Sequence, residues 1–80
     1  MEQNKKIKSI ASKLIHNIEV AESLKVILSD KFNKRETKTT QYKNYTKQLE
    51  RAENNIHELR YDLGELNARL NTKTGEVEIY

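Results

Sequence analysis

The chain has no cysteine, no proline and no tryptophan, and only two glycines among its 80 residues. Without cysteine there is no disulfide framework and no thiolate metal site, which fits a reducing compartment. Without proline, and nearly without glycine, the punctuation that many-stranded sheets and long loops need is missing. Long hydrophobic runs are missing too. The longest is Val26-Ile27-Leu28, against the ~20 apolar residues of a membrane span. Lys5, Lys6 and Lys8 would suit the start of a signal peptide, but Ser12, Lys13, His16, Asn17 and Glu19 interrupt the apolar residues that follow, so no h-region forms. These absences point to a soluble chain without membrane contact, in the cytoplasm (the host cytoplasm if it is phage-encoded). The sequon Asn44-Tyr45-Thr46 is then a coincidence.

Catalytic patterns are equally sparse. Gly64 and Gly75 stand alone, so there is no phosphate-binding loop. Ser9, Ser12, Ser23 and Ser29 fall within or at the end of a helical pattern, without a nucleophile elbow or a suitably spaced His–acid pair. Glu53 and His57 share a helix face, but a metal needs three or four ligands. The expectation is a non-enzymatic protein with no cofactor and no metal.

What is present is helical. Charged residues make up 34% and hydrophobic residues 35% of the chain, and the abundant Lys, Glu, Leu, Ile, Asn and Gln suit helices with wet outer faces. In the second half, Tyr42, Tyr45, Leu49, Ala52, Ile56, Leu59, Leu63, Leu66 and Leu70 are spaced alternately three and four apart, a heptad seam with Tyr42 at a and Tyr45 at d. It predicts a helix over about residues 40–71, with Gly64 off the seam. In the first half, Ile7, Ile10, Leu14, Ala21, Leu24 and Leu28 keep the same spacing and predict a helix over about residues 4–30. Ala11 and Ile18 widen that stripe on one side, and Val20 and Ile27 on the other, more than a two-stranded seam requires. Asn17 falls at a d position, either as a half-exposed polar residue or as a paired Asn that sets register.

No glycine or proline marks a turn between the two patterns, and their heptad phases agree, so one continuous helix is an alternative. It would place Lys31, Arg35 and Lys38 at successive seam positions, where they repel. Asn33-x-x-Glu36 resembles a capping box that restarts a helix near Lys34, and the Thr37–Thr40 stretch is poor helix interior. The preferred fold is therefore all-α: a helical hairpin over residues 1–71, with coiled-coil-like packing and a turn at about residues 30–39. Its tail, residues 72–80, alternates Val77 and Ile79 with Glu76, Glu78 and Tyr80. That weak strand character implies disorder, or addition to the sheet edge of a partner or second copy.

Two helices bury one stripe each. Ordering a residue costs roughly 1.5 kcal/mol and a buried Leu returns about 1.5–3 kcal/mol, so a lone hairpin is marginal and self-association into a bundle is expected, a homodimer first. Leu14, Leu24, Leu28, Leu49, Ile56, Leu59, Leu63, Leu66 and Leu70 are the core or oligomer seam. At the level of fold alone, such a hairpin resembles the plasmid RNA-binding hairpin that dimerises into a four-helix bundle; no motif carries residue roles across.

Charge is unevenly spread. Residues 31–47 carry Lys31, Lys34, Arg35, Lys38, Lys43 and Lys47 against Glu36 alone, net +5; residues 1–30 are net +1 and residues 48–80 net −3. The basic segment reads either as a solvated turn or as a phosphate-binding patch. Tyr42 and Tyr45 fit the seam better than they fit a base-stacking platform. The leading expectation is a protein–protein interaction module, a small bacterial or phage-encoded regulator or inhibitor of a larger protein or complex. The alternatives are a nucleic-acid-binding hairpin dimer that uses the basic turn, and a structural coiled-coil spacer or scaffold with one long helix per chain.

Overall fold

A computed structural model describes residues 2–79; Met1 and Tyr80, the last residue of the tail's alternation, lie outside the described residues. The chain runs α1 (Glu2–Asn33), α2 (Thr40–Glu65), β1 (Ala68–Asn71) and β2 (Glu76–Ile79). It is a helical hairpin with a two-stranded antiparallel tail. The continuous helix of the spacer alternative is not formed, because the chain turns back after Asn33.

The turn is built without glycine. At the end of α1 the Arg35 N–H donates to the Phe32 carbonyl (3.0 Å) and the Glu36 N–H donates to the Lys31 carbonyl (2.8 Å). This is the paired bonding of a Schellman cap, with Arg35 in the left-handed position at φ 60°. The expected restart at Asn33-x-x-Glu36 is therefore corrected. Asn33 is the last residue of α1, and the N-cap of α2 is Thr39, whose hydroxyl accepts from the Tyr42 N–H at 3.1 Å. A Thr hydroxyl satisfies one of the four orphan N–H groups of a helix start, so the Thr cluster serves as a cap.

The helices pack antiparallel along their seams. Asn17 pairs across the interface, accepting from Asn55 Nδ2 at 3.3 Å. Nearer the turn, Lys31 Nζ donates to Gln41 Oε1 at 3.2 Å in the same register. Asn17 thus finds its partner within its own chain. Of the expected seam, Leu14, Leu24 and Leu63 are buried and Leu28, Leu49, Ile56, Leu59 and Leu66 are half-buried.

The expected helix to residue 71 is also corrected. α2 stops at Glu65, and Asn67 takes a left-handed φ of 57° with its N–H on the Gly64 carbonyl at 3.0 Å. The register gives the reason. In that register a helix continued to Asn71 would pass beyond Ile7, the α1 residue opposite Glu65, and carry Leu70 away from it. By reversing as a strand, the chain buries Ala68 and Leu70 in a core with Ile7, Leu14 and Leu63, flanked by Ile10, Ile15, Ile18, Ile56, Leu59, Leu66 and Val77.

The tail forms a strand rather than a disordered segment. β2 pairs with β1 of the same chain, Ala68 opposite Ile79, Arg69 opposite Glu78, Leu70 opposite Val77 and Asn71 opposite Glu76. Residues 72–75 close the hairpin. Gly75, at φ 76°, donates to the Asn71 carbonyl at 2.8 Å, and Asn71 Oδ1 accepts from the Lys73 N–H at 3.0 Å. A lone hairpin is marginal in water, and docking one apolar face on the helices stabilises this one. The sheet thus forms a third layer, but only at the open end of the helical hairpin.

Candidate interaction surfaces

Two surfaces stand out among the described residues once the core is assembled. The first is a groove on one flank of the helix pair. With Tyr42 at heptad position a, Ile18 and Lys25 of α1 and Glu53 and Arg60 of α2 all occupy e positions, and antiparallel packing brings both e rows to the same flank. There they line a cleft of about 460 Å³ with Ala21, Glu22, Asn54, Ile56 and His57, stopped at one end by Thr72 of the hairpin loop. Ile18, Ala21 and Ile56 are its buried or half-buried apolar residues, and charged side chains of both signs surround them. Glu53 and His57 both line it, and no group of three or more metal-ligating side chains occurs among the described residues. Periodicity marks Ile18 as a widening of the stripe. It does not reveal that Lys25, Glu53, Arg60 and Thr72 meet it, because that needs the antiparallel pairing and the position of the hairpin.

Other apolar side chains lie open outside the groove. Val26 and Phe32 on α1 are 70% and 64% exposed, Tyr61 on α2 is 69% exposed, and Ile79 at the end of β2 is 63% exposed. Val77 and Ile79, expected as a docking strand, are thus divided. Val77 packs on the core while Ile79 overhangs it.

The second surface is the basic turn, where the structure sorts the six cations. Lys31 is turned inward. Its ammonium meets Glu36 at 3.5 Å and Gln41 at 3.2 Å and sits 5.8 Å from the centre of the Tyr45 ring, a cation–π distance. Lys34 pairs with Asp30 at 3.2 Å on the surface, an exposed contact worth at most about 0.5 kcal/mol. Arg35, Lys38, Lys43 and Lys47 are exposed, and none of them is in an ion pair or side-chain hydrogen bond among the described residues. Tyr42 and Tyr45 are half-buried in the helix interface, while Phe32 is the open aromatic at this end.

On the outer face of the hairpin, Arg69 donates to Glu78 at 2.7 Å and Asn71 donates to it at 3.2 Å. The Arg69 hydrogen bond, then that of Asn71, then the Arg69 charge hold the Glu78 carboxyl below the usual carboxylate range. No helix among the described residues is long and apolar enough to cross a membrane. Comparison with protein-family models, with curated proteins and with solved structures finds no match.

Proposed function

We propose that this chain is a non-enzymatic interaction module that docks the uncovered flank of its helical hairpin on another protein. The observation that carries the reading is surplus surface. The chain exposes 6412 Å² at a mass of 9.4 kDa, where a compact monomer of that mass exposes about 5000 Å². The excess is larger than the roughly 800 Å² each partner contributes to a standard interface. It goes with an elongated shape, 50 × 20 × 14 Å, in which the hairpin layer packs near Ile15, Ile18 and Leu70 at one end. Beyond it lies the Ile18–Ala21–Ile56 groove, long and shallow, with an apolar centre and a charged rim in the manner of a docking surface.

The test is photo-crosslinking in cells that express the full chain. A photoreactive residue replaces Lys25, on the groove rim, and in a second variant His16, an exposed position outside the groove. The reading expects a discrete adduct from position 25 that is absent from position 16. An adduct of twice the chain mass identifies a second copy, and any other mass a different protein. The same adducts from both positions, or none from position 25, would reject the groove as a docking surface.

A further inference from the structure

We propose that the turn end of the helical hairpin binds the phosphodiester backbone of a nucleic acid through Arg35, Lys38, Lys43 and Lys47. The argument is independent of the groove, and it begins with where these cations sit. Arg35 occupies the left-handed position of the Schellman cap, at φ 60°. A side chain there strains the backbone, and folding alone favours glycine. Lys38 immediately precedes the N-cap Thr39, and Lys43 follows in the first turn of α2, which contains no acidic residue. The N-terminus of a helix favours negative charge and disfavours cations. Lys38 and Lys43 thus carry charge of the sign a helix start disfavours, and Arg35 carries a side chain where the backbone favours glycine; such local conflicts concentrate at functional sites.

The pairing pattern points the same way. Glu36 is the sole acid of residues 31–47, and Lys31, which is mostly buried, already holds it. The four proposed ligands keep their charge facing solvent with no carboxylate on them among the described residues. Lys43 and Lys47 are one turn apart on a single face, rising about 6 Å along α2. Phe32, whose carbonyl accepts the Arg35 N–H, is 64% exposed and offers an aromatic ring at the same end of the molecule for an unpaired base. The far half of the chain, residues 48–80, is net −3, so a polyanion is attracted to the turn end and repelled from the other.

The experiment is fluorescence anisotropy of a labelled DNA duplex and a labelled RNA stem-loop, titrated with the full chain at about 50 and about 200 mM salt. Four phosphate contacts predict a logarithmic salt slope of about −3.6, a weakening of roughly 100-fold across that range. Replacing Lys43 and Lys47 together with Gln should halve the slope. Arg35→Gly is the discriminating variant, because it should melt at a higher temperature than the parent chain and yet bind more weakly. Equal binding of duplex and stem-loop supports contact with the backbone alone. Tighter stem-loop binding that Phe32→Ala abolishes supports stacking as well. The proposal is overturned if nothing binds at the lower salt, if the Gln and Gly variants bind like the parent, or if poly-glutamate competes as well as nucleic acid at equal charge, which would assign the surface to an acidic protein.

Discussion

Leu14 and Leu63 are the largest fully buried side chains, at 0% and 1% exposure, and they meet where the two helices and the β-hairpin converge. Truncating either leaves a cavity that three separate elements must close together. Leu63→Ala should therefore lose about 2–5 kcal/mol, a large part of what a domain this small possesses. Leu49→Ala, at a half-buried seam position far from the hairpin, should lose clearly less. Urea titration followed by circular dichroism measures both, and equal losses would mean that the core does not sit at the open end. The heptad spacing marks the two leucines alike. It cannot rank them, because rank depends on the third layer. Arg35 is a similar case: its sequence context shows a basic residue in a turn, and only the backbone shows that it stands where glycine is favoured.

Among the elements, α1 and the start of α2 follow from periodicity, and the end of α2 does not. The three-four spacing runs unbroken from Leu63 through Leu66 to Leu70, yet the helix stops at Glu65 and Leu70 belongs to a strand. A helical position is favoured only if something covers it, and as a strand Leu70 is buried with Ile7, Leu14 and Leu63. The β-hairpin that replaces it carries a pH dependence. The folded Glu78 carboxyl titrates below its unfolded value, so its contribution is present above the unfolded value and is lost as the pH falls through the folded one. Backbone chemical shifts of Arg69 and Val77, followed from about pH 6 to about pH 2, should show the hairpin loosening below the usual carboxylate range. Glu78→Gln should remove that step, and an unchanged profile in the variant would assign it to another acid.

Taken whole, the molecule is long and thin: 50 × 20 × 14 Å, with a radius of gyration of 15.4 Å, where a compact domain of this length has about 11.6 Å. Small-angle scattering at low concentration should give a largest dimension somewhat above 50 Å, after allowance for side chains and hydration. A single helix over the first 65 or so residues would reach nearly 100 Å at 1.5 Å per residue, so a value near that would reject the hairpin. A rise in scattering mass with concentration would identify a second copy as one occupant of the surplus surface.

Local properties of the chain determine its helical character, the two seams, the basic middle and the weak strand at the end. Each depends on residue type and on spacing within one or two turns, so each is legible without knowing what lies across the interface. Tertiary structure decided the rest: the Schellman turn around Arg35, the reversal after Glu65, the pairing of the tail with its own neighbour, and the sorting of six cations into one turned inward, one paired and four open. These outcomes depend on what the opposite helix offers at each level. Leu70 is buried against Ile7, Leu14 and Leu63 only once the chain folds back, and Lys31 turns inward because Glu36, Gln41 and Tyr45 come within reach only once the chain has reversed.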